Sequence, residues 1–296
     1  MAYKIKFGPK QRLKWKEIFL SELEKVPRGT TISLSGGTES SIIVFGMAEL
    51  GKTPKHSVTV TLDGCDTKDS YWAKQVSDHY GVKHQLVKLP RLKKKALMKD
   101  LSDPIHVINM YRSIDVLCCY AYRYMLERLK SKSITIGFYN SHYAAATKVM
   151  ILYRQYLKGE VTLSQFKKAY DKIRDARIFN NPTNNYEIIS NYIREKGFKV
   201  HLPLKSIPLL DYSKKFTFMD FHEVKGKFKK KIAIYEIFRE HFDRVGNWGN
   251  MNSFHVNSQL KDYHTEILTA NTPYKKVAAI YRQILLKPPL SFSIGD

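Results

Sequence analysis

Apolar positions recur at helical spacing over residues 10–25, where Trp15, Ile18, Phe19 and Leu23 share one face. Residues 30–34 read as a short buried strand, and a Gly-Gly turn follows at once. A helix is predicted over residues 40–50, with Gly51 as its stop. Residues 57–62, rich in Val and Thr, form the next predicted strand. The helix predicted over 69–80 turns Trp72, Ala73, Val76 and Tyr80 inward and ends at Gly81. A strand over 85–89, closed by Pro90, precedes a long apolar helix over 107–129 and a fourth strand over 133–138.

Strands separated by helices imply a parallel sheet covered on both faces. Ligands of such sheets bind beyond the carboxyl ends of the strands. Gly36, Gly37, Asp63 and Gly137 all fall at or just past predicted strand ends, so they could line one crevice. After Ser141 the pattern turns helical, with helices predicted over 143–157, 163–173, 186–196, 230–242 and 274–286 and an Asn-rich loop over 180–185. The fold class is therefore α/β, a doubly wound parallel sheet with a helical C-terminal layer. Residues 1–140 are expected to form the nucleotide-binding core, and residues 141–296 a mostly helical region completing the site.

Composition adds limits. The 296 residues are 43% hydrophobic, enough for a sizeable core. No apolar run approaches the roughly 20 residues that span a bilayer. The opening Met1-Ala2-Tyr3-Lys4-Ile5-Lys6 lacks the apolar stretch of a signal peptide. Cys65, Cys118 and Cys119 form neither a disulfide framework nor a zinc spacing, so a reducing cytoplasm is the expected location. The net charge of +23 attracts polyanions. Clusters occur at Arg91, Lys93, Lys94 and Lys95 and again at Lys225, Lys227, Lys229, Lys230 and Lys231. They read either as a solvated basic surface or as a footprint for nucleic acid, tRNA or DNA; no membrane partner is expected.

The chemistry lies in Ser35-Gly36-Gly37-Thr38-Glu39-Ser40-Ser41. Two glycines let backbone N–H groups approach phosphate oxygens closely. The hydroxyls of Ser35, Ser40 and Ser41 add donors, and the following helix presents its positive end. Glu39 suits an anion site only if a cation intervenes, and magnesium takes oxygen ligands and rides on phosphates. No Gly-Lys-Ser/Thr ending follows, so this is not the P-loop of kinases and GTPases.

Leu34 through Ser41 resembles the PP-loop of the N-type ATP pyrophosphatases, whose sheet is of the adenine nucleotide alpha hydrolase type. Asp63-Gly64-Cys65-Asp66-Thr67-Lys68-Asp69-Ser70-Tyr71-Trp72-Ala73, with Val76, His79-Tyr80-Gly81 and His84, is similar to the second strand and helix of the asparagine synthetase synthetase domain. Pro208-Leu209-Leu210-Asp211 and Lys231-Ile232-Ala233-Ile234 are similar to later motifs of that family. The resemblance implies use of ATP and magnesium. A substrate oxygen attacks the α-phosphate, pyrophosphate leaves, and an amine displaces AMP. It implies that Leu34 and Val60 flank the adenine, that Thr61, Leu62 and Gly137 complete the nucleotide site, that Glu39 binds the metal, and that Lys231 reaches the reacting phosphate.

Three departures qualify that picture. Glu39 stands where the family uses Asp. The family's Ser-Gly-x-Gly-Ala-Asp-Glu segment reads Ile136-Gly137-Phe138-Tyr139-Asn140-Ser141-His142 here, without the acidic pair. Asp63 or Asp211 could replace it. There is neither a glutaminase domain nor a Cys at position 2, so glutamine-fed asparagine synthesis by this chain alone is not expected. The expectation is an AMP-forming ligase with an amino-acid-like or nucleic-acid acceptor. A tRNA or DNA base-modifying enzyme and a degenerate, non-catalytic nucleotide-binding protein are the alternatives. Cys118-Cys119, in an apolar helix, reads as core, and His142 as either a base or a helix-start polar residue.

Overall fold

The computed structural model describes residues 6–138, 147–178, 185–224, 227–229, 231–247, 259–269 and 275–287. Helix α1 (Pro9–Glu24) begins with Pro, whose missing N–H costs nothing in a first turn. It buries Trp15, Phe19 and Leu23 one turn apart. Burial of Phe19 and of Leu23 contributes roughly 1.5–3 kcal/mol each. The stripe packs on α2 (Thr38–Glu49), and Gly46 permits the approach: a Cβ there would lie 2.4 Å from Leu23 Cδ1.

Strands β1 (Thr31–Ser33), β2 (His56–Leu62), β3 (Lys83–Leu89), β4 (Ser133–Ile136) and β5 (Lys199–His201) form one sheet in the order β3-β2-β1-β4-β5. Every pairing is parallel. The chain builds outward from β1 through β3, then returns to the other side of β1 with β4. The order reverses between β1 and β4, and that is where such sheets open a crevice. Helix α3 (Lys68–His79) joins β2 to β3, its start fixed by a capping box between Thr67 and Ser70.

Two cores flank the sheet. On one face Ile32 and Leu34 pack with α1, α2 and the Ala73–Val76 stripe of α3. On the other, Val58, Val60, Leu62, Ile134 and Ile136 pack with α6 (Ser113–Glu127) and α9 (Asn185–Glu195). A third, smaller cluster joins α7 (Thr147–Leu157) and α8 (Leu163–Ile178) to Phe218 and Met219 of α11 (Phe218–His222).

Several expectations are corrected. The helix expected over 107–129 is broken. After α4 (Lys94–Asp100), α5 (Ser102–Ile108) ends on Asn109 in the left-handed conformation, and α6 begins only at Ser113. The helix expected over 230–242 is two, α12 (Ile232–Ile237) and α13 (Arg239–Val245). They divide at Phe238, whose ring is held against Phe19 and Phe45. The C-terminal part, expected to be mostly helical, also supplies β5. It also supplies a short antiparallel pair, Glu223–Val224 with Lys227–Phe228. Helix α10 (Ile207–Ser213) and the helix Leu260–Thr269, which packs on Lys275–Leu285, were likewise not foreseen. Among the described residues no helix is long and apolar enough to cross a membrane.

Buried histidines make this fold acid-sensitive. His264 Nδ1 lies 2.6 Å from the Tyr281 hydroxyl, and its buried Nε2 has no partner to take a second proton. Burial pushes its pKa from 6.5 down to about 3. Burial likewise pushes His84, beside Ser57, down to about 4. The unfolded chain therefore binds protons below about pH 6.5 that the folded chain refuses. Their contribution to stability is full above that pH and is lost as pH falls toward those lower values. In urea unfolding, the midpoint should fall between about pH 7.5 and about pH 5, and His264→Gln should flatten that dependence. An unchanged dependence in the variant would remove His264 from the account.

Candidate active site

The loop between β1 and α2 is held by its own serines. Gly36 takes φ +68°, which a side chain would strain. A Cβ on Gly36 would also lie 2.5 Å from Trp72 Cβ and from Ala73 N, so α3 closes on the loop with no room to spare. Ser40 Oγ accepts the Ser35 N–H at 3.1 Å and donates to the Gly37 carbonyl at 3.1 Å. Gly37 N–H donates to Ser35 Oγ at 3.3 Å. Ser35 and Ser40 therefore shape the loop. Ser41 differs: it is buried in the first turn of α2 and its hydroxyl has no partner among the described residues. The first amides of α2 have no intrahelical acceptor and face an anion naturally.

Gly137, just past β4, completes the floor. A Cβ there would lie 2.7 Å from Glu39 C and Ser40 N. The crevice between β1 and β4 thus contains the start of α2.

Residues distant in sequence clamp this loop. Lys231 Nζ, from the start of α12, pairs with the Glu39 carboxylate across 192 residues of sequence. Lys231 takes φ 59°, uncommon for a residue with a side chain, and its N–H donates to Nδ1 of buried His222 at 2.8 Å. Thr38 Oγ1 donates to the Tyr235 hydroxyl at 3.1 Å, and burial raises that phenol's pKa. Asn247 Nδ2 donates to the Gly36 carbonyl at 2.6 Å, leaving its buried Oδ1 without a partner.

Lys231 and Glu39, expected as the phosphate and metal residues, are thus brought together. Lys229 is exposed, and Lys230 lies outside the described residues, as do Lys225, Tyr139, Asn140, Ser141 and His142. Leu34 and Val60 are buried in cores on opposite faces of the sheet. At this edge of the sheet they present backbone, and it is with backbone that they would flank an adenine. Leu62 is buried with Val60, and Thr61 Oγ1 donates to the Cys65 carbonyl at 3.1 Å. Asp63 is exposed, 3.8 Å from Lys88, and Asp211 pairs with Lys214 of the next turn.

Cys65 Sγ accepts from Arg91 at 3.2 Å and donates to Gln259 Oε1 at 3.0 Å. Cys118 and Cys119 are core residues. Burial pushes the Cys118 thiol up to about 12 and Cys119 well above its usual range, so neither is a thiolate. Sequence reasoning missed Tyr235, His222 and Asn247. No local pattern marks them, because their partners are defined only by tertiary packing.

The glycine contacts are testable. Gly137→Ala should push on the Glu39–Ser40 backbone and weaken ATP binding by at least about tenfold, roughly 1.4 kcal/mol, in calorimetry. Wild-type affinity in that variant would show that the crevice is wider than described.

Residues 25–138 match the family model for asparagine synthase. No curated protein matches the chain. Among solved structures, the chain is similar to a U34-tRNA thiolase from Methanococcus maripaludis with its [4Fe-4S] cluster, at 16% identity and TM-score 0.39, covering 100% of this chain and 89% of that one. It is also similar to a predicted subunit of tRNA methyltransferase from Methanocaldococcus jannaschii, at 14% identity and TM-score 0.31, covering 76% of this chain and 93% of that one. The segment 25–138, which carries the glycine-serine loop at the switch point of the parallel sheet, is thus similar to asparagine synthase.

Proposed function

We propose that the protein is an ATP-dependent ligase that forms AMP and pyrophosphate. The observation that carries this reading is the meeting of Lys231 and Glu39 at the N-terminus of α2, one cation and one acid at the mouth of a phosphate loop. The β- and γ-phosphates of ATP would lie on the loop amides and the unpartnered Ser41 hydroxyl. A carboxylate or similar oxygen of the acceptor attacks the α-phosphorus. The new O–P bond forms as the bond to the β-phosphate's bridging oxygen breaks, and pyrophosphate carries away the electron pair. An amine then attacks the activated carbon, AMP leaves, and the amine proton passes to solvent. Lys231 stabilises the negative charge on the reacting phosphate, an electrostatic task.

The donor set fits magnesium carried on phosphates. Glu39 is a single carboxylate at the loop, and among the described residues no cluster of three His, Cys, Asp or Glu could hold a metal unaided. When bound, the ion would neutralise charge on the departing pyrophosphate. In this structure Glu39 and Lys231 satisfy each other, and ATP must part them to be held by both.

A second reading, in which the activated oxygen belongs to a nucleic-acid base, is favoured by one observation. Lys93, Lys94 and Lys95 are exposed and, among the described residues, joined to no acid.

Pyrophosphate release should be measured with ATP, magnesium and a panel of amino acids, ammonia, tRNA and DNA. Acceptor-dependent release is expected. ATP binding with no release under any condition would mean a non-catalytic PP-loop protein. Lys231→Met should lower kcat about 100-fold with a smaller change in KM for ATP. Glu39→Ala should weaken magnesium-dependent ATP binding about tenfold in calorimetry; unchanged affinity would remove Glu39 from the metal's ligands.

A further inference from the structure

The carboxyl edge of the sheet carries a charged rim that the ATP chemistry does not use. The ends of β1, β2 and β3 succeed one another there, and neighbouring strands lie about 4.8 Å apart. The phosphate loop and the segment after β3 are therefore separated by about 10 Å of sheet edge. Between them runs the connection from β2 into α3. Arg91 ties the two connections together: its Nε donates to the Asp63 carbonyl at 2.9 Å and its Nη2 to Cys65 Sγ at 3.2 Å. The Leu92 backbone is fixed in turn, its N–H donating to the Tyr263 hydroxyl and its carbonyl accepting from that hydroxyl at 2.9 Å.

This platform is basic against local preference. Lys93 is the N-cap of α4, Lys94 and Lys95 follow it, and the first turn contains no acid. A helix N-terminus favours negative charge, so three lysines there are unfavourable for the helix alone. All three are exposed and make no ion pair among the described residues. Consecutive residues at a helix start point about 100° apart. They cannot converge on one phosphate, but they can meet several spread along a chain. Lys68, at the start of α3, is also exposed and unpaired. Among the described residues the acids of this rim are Asp63, which faces Lys88 at 3.8 Å, exposed Asp66, and Asp69, which is buried in the first turn of α3.

An aromatic step stands beside the charge. Tyr71 is 56% exposed and lies 4.9 Å from Trp72, ring centroid to ring centroid, at 76°. Trp72 is the residue whose Cβ closes on Gly36, so the step adjoins the phosphate loop. Lysines strung along an edge with an exposed ring at its inner end are what a single-stranded polyanion with stacking bases requires. A duplex offers phosphates but no free base face, and an amino-acid substrate needs no string of cations.

We propose that this rim binds single-stranded nucleic acid, with phosphates on Lys93, Lys94, Lys95 and Lys68 and one base stacked on Tyr71. That the strand delivers the acceptor to the loop rests on the ligase reading; the binding itself does not.

The test is fluorescence anisotropy of labelled single-stranded RNA and DNA oligonucleotides over a salt series, with ATP binding followed by calorimetry. Replacing Lys93, Lys94 and Lys95 together by Ala should weaken binding at least about tenfold. It should also reduce the slope of log affinity against log salt by about 2, since each lost phosphate contact removes about 0.7. Tyr71→Ala should weaken binding about tenfold with the slope unchanged. Both variants should bind ATP as the wild type does. Wild-type affinity in either variant overturns the proposal. So does equal affinity for duplex, heparin or anionic vesicles with no effect of Tyr71→Ala. Oligonucleotide binding that depends on these residues, without pyrophosphate release in any mixture, supports the rim and defeats the ligase.

Discussion

The site depends on a steric constraint: the start of α2 is wedged between two backbone approaches that only glycine allows. Gly36 meets α3 on one side, and Gly137 meets the Glu39–Ser40 peptide on the other. Because the strand order reverses between β1 and β4, these two approaches are also the walls of the crevice. The sheet topology and the loop's conformation are thus one constraint seen at two scales. The loop serines then lock the turn from within, which leaves the helix amides and Ser41 to an incoming anion.

The C-terminal region completes what the glycines begin. Lys231, Tyr235 and Asn247 reach the side chain of Glu39, the side chain of Thr38 and the carbonyl of Gly36, respectively. Gly36, Thr38 and Glu39 are thereby tied to one stretch of chain more than 190 residues away. The arrangement holds the Lys231 ammonium beside the loop, paired with Glu39, and engages the Gly36 carbonyl with the Asn247 amide.

How much of this was legible in the sequence follows the range of the interactions. The strand, Gly-Gly turn and helix over residues 31–49 were readable because each signal is local: buried β-branched residues, a turn that needs glycine, then hydroxyls at a helix start. Gly137 was readable as a strand-end glycine, though its contact with Glu39 was not. The break at Asn109 was hidden because apolar positions continue through it, and one left-handed residue leaves no periodic trace. Strand β5 was hidden because Lys199-Val200-His201 is too short to show alternation and gains its identity from β4. The faces taken by Leu34 and Val60 were hidden. Leu34 and Val60 both face cores, but across the sheet from each other, and a motif cannot state which face a residue takes when neighbouring strands set the register. Lys231 was singled out by resemblance, but its choice over Lys229 needed the contact with Glu39.

Helix α11 is shared between two tasks. At one end Phe218 and Met219 belong to the small core of α7 and α8, and at the other His222 holds the backbone of Lys231. The lysine's left-handed conformation is therefore only as secure as a peripheral helical pair far smaller in core than either face of the sheet. Loosening α7 and α8 would let residue 231 relax to an ordinary backbone angle and withdraw its ammonium from the loop. In that sense the cation is a sprung part, and its spring is anchored in the small cluster away from the sheet.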